Sequence, residues 1–196
     1  SRVRKRVGRN HFRYFAILSQ NTCMRRLLFL IPACLFTLNT LGQQWKTFTD
    51  SAGNFTASYP SNWINKIKAG NRVFFTSPSD GKDDTFYENI NIAVSYNKSF
   101  GKDARIRDLF PTVTQQMANA FSDFKEESLR YFKWNNYEAA ELVYSGYSKS
   151  DESIRVRCTQ WFCFYKSKLY LATFVSDAEK QTHDKTAKKI MSGIVF

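Results

Sequence analysis

Apolar and polar positions alternate strictly from Ile90 to Tyr96, where Ile90, Ile92, Val94 and Tyr96 take turns with Asn91, Ala93 and Ser95. A period of two puts one set on each face of a β-strand, so this stretch reads as a strand with one buried face. The same reasoning makes Trp45 to Thr49 and Phe55 to Tyr59 an opening hairpin, joined by the turn-rich segment Asp50 to Asn54. Beyond Trp63, "INKIKAG" and "NRVFFTSP" are two more strands around Gly70-Asn71, a pair suited to a tight turn.

The period then changes. Leu109, Phe110, Val113, Met117, Ala120 and Phe121 recur at helical spacing, with Asp108 placed to cap and Pro111 inside the tolerated first turn. From Phe124 the strand pattern returns in "FKEESLRYF", "YEAAELVYSGY", "SIRVRCTQWFCFY" and "KLYLATFVS". Around Trp161 to Tyr165 and Leu169 to Val175 both alternating sets are apolar or aromatic. These strands must therefore be covered on both faces. Asp177 is placed to cap a closing helix whose Ala187, Ile190, Met191 and Ile194 form one stripe. The fold class expected is α+β: a mainly antiparallel sheet of about six strands plus an N-terminal hairpin, sandwiched between α-helices.

Charge changes the picture only at the front of the chain. The formal net charge of +12 would point to an anionic partner, but residues 1–42 hold eight Arg or Lys and no acid. Residues 43–196 hold 21 basic and 17 acidic residues, a balance of +4, so no nucleic-acid partner is expected. From Met24 the chain reads "MRRLLFLIPACLFTLNTLGQQ", two arginines followed by an apolar run and then small residues at Thr40 and Gly42. That is the layout of a signal peptide over 24–42, cleaved near Gly42 and Gln43, and the run is too short and too interrupted for a membrane anchor. Residues 1–23 are then an extension upstream of the true start or a long basic n-region, and 43–196 is the exported domain, periplasmic or secreted. "IPAC" offers the alternative of lipidation at Cys34.

Two stretches resemble a known family. "GNFTASYPSNW", from Gly53 to Trp63, and the closing strand and helix from Ser167 onward are similar to the two end motifs of the PsbP family of extrinsic photosystem II proteins and their bacterial relatives. The residues that carry the likeness are Gly53, Phe55, Tyr59, Pro60, Trp63, Leu169 and Tyr170. The resemblance implies an antiparallel sheet flanked by helices, shared with DcrB-like envelope proteins and a Ran-binding nuclear import factor, and it implies no chemistry. Plant members bind photosystem II with an arm before the domain, and here the domain begins almost at the proposed cleavage point. Within the first motif Pro60 removes a backbone donor and ends the strand, and Trp63 reads as a plug that closes the core.

The residues offer little for catalysis. Cys158 and Cys163 are five apart in one strand, so they face opposite ways with Cα atoms about 16 Å apart, too far for a disulfide. They read as buried thiols. His183, the single histidine after residue 42, falls at the edge of the closing apolar stripe, which suits a packed histidine better than a catalytic base. It is distant in sequence from any ligand set, so zinc is not expected. Asp80, Asp83, Asp84 and Glu88 form an acidic loop, either a solvated turn or a weak cation site of no EF-hand spacing.

No glycine-rich phosphate loop occurs, and no cofactor is expected. The pairs Arg105 with Arg107 and Arg155 with Arg157, like Lys188-Lys189, suit solvated faces. Tyr131, Phe132, Trp134, Tyr137, Tyr144 and Tyr147 crowd near "KWNNYE", either as core filling or as a ligand or partner surface. The reading that follows is a non-catalytic accessory or binding module of the bacterial envelope, whose partner is another envelope protein. A carrier of a small apolar ligand between sheet and helices is the alternative, and an envelope hydrolase has the least support.

Overall fold

A computed structural model describes residues 43–68, 72–96 and 104–196. The proposed signal peptide, the preceding extension, Cys34 and the Gly70-Asn71 turn lie outside the described residues. Strand β1 (Trp45–Asp50) pairs antiparallel with β2 (Phe55–Pro60) as a separate two-stranded sheet. The main sheet has seven strands: β3 (Ile64–Lys68), β4 (Arg72–Thr76), β5 (Asn89–Tyr96), β6 (Phe121–Trp134), β7 (Tyr137–Ser148), β8 (Asp151–Tyr165) and β9 (Lys168–Asp177). Helices α1 (Phe110–Ala120) and α2 (Asp184–Ser192) complete it.

The strand order is β3-β4-β5-β9-β8-β7-β6, with every pairing antiparallel. The chain lays down β3 to β5, crosses one face through α1 to the far edge, and returns as a meander that inserts β9 beside β5. Two of the meander's turns are two-residue loops with left-handed backbone at both positions, Asn135-Asn136 and Lys166-Ser167, the geometry that follows the twist of the flanking strands. Asn tolerates that conformation better than Lys or Ser does.

Two cores flank the sheet. On one face the hairpin residues Phe55, Ala57 and Tyr59 and the α2 residues Ala187, Ile190 and Met191 pack on Phe75, Ile90, Trp161, Tyr170 and Phe174. On the other, Phe110 of α1 packs with Leu142, Tyr144, Cys158 and Phe162, and Leu171 and Val175 lean on that cluster. Burial of β8 and β9 on both faces, expected from their two apolar sets, is thus observed. The covering differs from a sandwich of helices. The β1–β2 hairpin shares one face with α2, and among the described residues α1 is the one α-helix on the other.

Three further expectations change. Asp108 does not cap α1, because a 3₁₀ turn over Ile106–Leu109 runs straight into the helix and Leu109 takes the cap position. Phe121 leaves the helix, adopts extended geometry and pairs with Ser148 as the first residue of β6. Asp177 still belongs to β9, opposite Val156, and its Oδ1 accepts a bond from Glu179 N at 2.9 Å. The chain needs residues 178–183 to climb from the sheet before α2 starts at Asp184, so His183 occupies the cap position there.

The first motif is tied to the middle of the sheet. Tyr170 Oη donates to the Gly53 carbonyl at 3.0 Å, and Thr56 exchanges two backbone bonds with Val195. Trp63 is buried behind the turn, where its N–H donates to the Pro60 carbonyl at 3.0 Å. Replacing Tyr170 by Phe removes a buried donor from the Gly53 carbonyl while keeping the ring. Chemical denaturation is expected to show a loss of about 1 kcal/mol, and no loss at all would mean that the bond does not anchor the hairpin.

Candidate functional site

Glu88 directly precedes β5, and β5 pairs with β9 from Asn89↔Val175 onward, so the loop before β5 and the segment after β9 leave the sheet at the same edge. There the acidic loop meets His183. The imidazole Nε2 lies 3.0 Å from Asp80 Oδ1 and 3.9 Å from Glu88 Oε2. Nε2 is shut off from solvent and has no aligned hydrogen bond, so its contact with Asp80 is electrostatic. Trp63 stands edge-on to the imidazole, with ring centroids 5.6 Å apart.

Each member is held by its own local structure. Glu88 is only 2% exposed; its Oε2 accepts a bond from Ser77 Oγ at 3.0 Å, and its carbonyl accepts from Ser77 N at 2.8 Å. His183 is anchored through its carbonyl, which accepts from Ala187 N at 2.8 Å in the first turn of α2. Asp84 shapes the loop: its Oδ2 accepts from Asp80 N at 2.9 Å and its Oδ1 from Phe86 N at 3.3 Å. The bond from Asp80 N is the main cause that holds the Asp84 carboxyl below its ordinary range.

The four acids therefore divide. Asp80 and Glu88 converge with the histidine; Asp84 organises the loop, and Asp83 is exposed and outside the cluster. His183, read as a packed histidine distant from any ligand set, is packed against Trp63 but is not distant. No spacing in the sequence marks this approach, since it depends on the β5–β9 pairing.

The six aromatic residues weighed as one surface are dispersed, with Phe132 edge-on to Trp161. Trp134 is buried against Trp161 and Phe196 on the hairpin face, and Tyr144 is buried against Phe121 and Phe124 on the α1 face. Tyr131, half-exposed, stands edge-on to Phe110 and carries Arg107 over its ring. Tyr137, also half-exposed, lies on Tyr165, and Tyr147 carries Arg155.

Clefts lie on both faces of the sheet. One of about 320 Å³ lies on the α1 face, partly enclosed and lined mainly by Phe86, Phe121, Tyr144, Ile154, Val156 and Val175. The other, about 250 Å³, runs between the sheet and α2 and is lined by charged groups, among them Glu141, Arg157, Asp184 and Lys188, as well as Trp161 and Met191. Three of its charged groups are engaged: Glu141 with Arg130 and Trp161 Nε1, and Arg157 with Glu127 at 2.8 Å and with the lining Asp184 at 3.7 Å. Burial pushes the Asp184 carboxyl above its ordinary range against the pull of Arg157.

The remaining nucleophiles are poorly placed for chemistry. Ser77 is buried and its hydroxyl donates to Glu88 rather than to the imidazole, so it has neither substrate access nor a histidine base. Cys158 and Cys163 are buried on opposite faces, as expected, and burial pushes their thiols up to about 11 and about 12. A thiol in that range carries negligible thiolate at neutral pH.

No family model matches the chain, and neither does any curated protein. Solved structures do share its fold. The cyanobacterial PsbP protein of Synechocystis, CyanoP, aligns with a TM-score of 0.54 at 13% identity over 78% of this chain and 92% of its own. The Ran-binding protein Mog1p of Saccharomyces cerevisiae aligns at 0.53 and 7% identity, over 78% and 95% of the two chains. LpqN of Mycobacterium tuberculosis, a protein involved in cell envelope biogenesis, aligns at 0.52 and 12% identity, over 79% and 86%. The chain thus has a PsbP-like fold, in agreement with the resemblance of its two end motifs, and at these identities the likeness is one of fold.

The raised thiols have a consequence at high pH. Between the ordinary thiol pKa of 9.0 and about 11 for Cys158, or about 12 for Cys163, the unfolded chain has released the proton that the folded chain keeps. Stability is therefore unaffected by these groups below pH 9.0, falls as pH rises through that window, and levels above it. Denaturation curves of the parent and of Cys163→Ala across this range check the sign: the variant should lose less stability on going alkaline, and identical slopes would refute the assignment.

Proposed function

We propose that this PsbP-like domain is an exported, non-catalytic accessory module of the bacterial envelope that acts by binding another envelope protein. The observation that carries the reading is the state of its polar groups. The cleft beside α2 holds ion pairs, the thiols are protonated and sealed in the core, and the serine that bonds Glu88 is buried. The sequence adds the signal-peptide layout of 24–42, and the fold neighbours add precedent. Mog1p is a Ran-binding protein on this architecture, and LpqN belongs to envelope biogenesis.

Export and binding separate experimentally. In a bacterial host the chain is expected in the envelope or secreted fraction with its N-terminus at Gln43, or with a lipid on Cys34, as read by mass spectrometry. Capture from envelope extract at low salt should then enrich a specific protein. An unprocessed chain confined to the cytoplasm, or a processed chain that captures nothing, would each defeat its half of the reading.

One observation favours a second reading. The cleft of about 320 Å³ on the α1 face is apolar and of ligand size, which suits a carrier of a small apolar molecule. A fluorescent fatty-acid analogue is expected to bind with one-to-one stoichiometry, and Ile154→Trp, which fills the cleft, should abolish the signal without altering the circular dichroism. Equal binding by both proteins would remove the carrier from consideration.

A further inference from the structure

We infer that Asp80, Glu88 and His183 form a binding site for a divalent transition ion of the zinc class, with one imidazole nitrogen, two carboxylate oxygens and a fourth position open to water. The three donor atoms lie within 4.8 Å of one another. Around a tetrahedral ion with bonds of about 2.1 Å, ligand atoms sit about 3.4 Å apart. The two separations from Nε2, 3.0 Å and 3.9 Å, fall on either side of that value.

The charge balance points the same way. Glu88 is sealed in the protein and Asp80 lies at the rim, yet among the described residues the only basic side chain in ion-pair contact with either is His183. An imidazolium would offset one of the two carboxylates, whereas a divalent ion offsets both, and a buried carboxylate without compensation is costly. Arg157 is engaged by Glu127 and Asp184.

The groups behind the donors are those a metal site needs. Ser77 holds the Glu88 carboxylate, Asp84 fixes the Asp80 backbone, and Trp63 walls the imidazole. The buried Nε2 has no aligned hydrogen bond that an ion would have to displace. Asp80, whose side chain is 27% exposed, gives the ion its way in. Calcium fits poorly, because it asks for six to eight oxygens and this site offers two carboxylates and a nitrogen.

Cobalt(II) added to the full chain is expected to give a visible absorption band and to change tryptophan fluorescence through Trp63, and zinc should displace it stoichiometrically. Asp80→Asn, a rim substitution that leaves the core untouched, should weaken zinc binding by at least about 100-fold in competition with a chromophoric chelator, since losing a mere supporting partner costs roughly 10–100-fold. His183→Gln should do the same, with its fold verified by circular dichroism, whereas Asp83→Asn should bind like the parent. The histidine and thiols elsewhere in the chain are common to parent and variants, so the difference reports this site alone. Equal zinc affinity in the parent and Asp80→Asn, equal loss in Asp83→Asn, or displacement of cobalt by calcium would each overturn the inference.

Discussion

The insertion of β9 between β5 and β8 is the constraint on which the rest of the molecule depends. Through its ladders to both neighbours this strand has its backbone satisfied on each side, and its side chains are covered from above and below. Tyr170, Ala172 and Phe174 face the hairpin and α2, while Leu171 and Val175 face α1. A strand buried in this way cannot form until both halves of the sheet exist, because β5 comes from the first and β8 from the second. The fold is therefore cooperative across the whole described domain, and its contacts are mostly long in sequence.

That insertion also explains why the N-terminal hairpin matters. The hairpin shares no ladder with the main sheet, yet near its turn it is held by Tyr170 at Gly53 and by the chain after α2 at Thr56. Gly53 suits its place because a Cβ there would meet Asp50 Oδ2 at 2.7 Å and the Phe55 ring at 2.9 Å. The motif that marks the family resemblance is thus a docking device between hairpin and central strand. Trp63, at its end, has a second contact, since the same indole that closes the core forms the wall of the His183 cluster.

The sheet interior holds the sealed thiols, and the ion pairs lie at its surface. The loop before β5 and the segment leading to α2 supply the polar groups that are left over. The same fold is found in a cyanobacterial PsbP protein, a Ran-binding protein and a protein involved in cell envelope biogenesis.

Periodicity alone determined most of the elements. The alternation of Ile90 to Tyr96, the two apolar sets of β8 and β9, the opposite orientation of Cys158 and Cys163, and the stripe of Ala187, Ile190 and Met191 all follow from local geometry, which the chain carries residue by residue. Helix starts were misjudged at Asp108 and Asp177, because a capping side chain works only where the backbone turns, and the turn is set by where the chain must go next. The site was half legible. The acids of the loop were visible as a cluster, but their division into ligand, organiser and bystander was not, and neither was the meeting with His183. The residues that meet there are far apart in the chain, and only the β5–β9 ladder, a long-range pairing that no local pattern encodes, brings them to one edge.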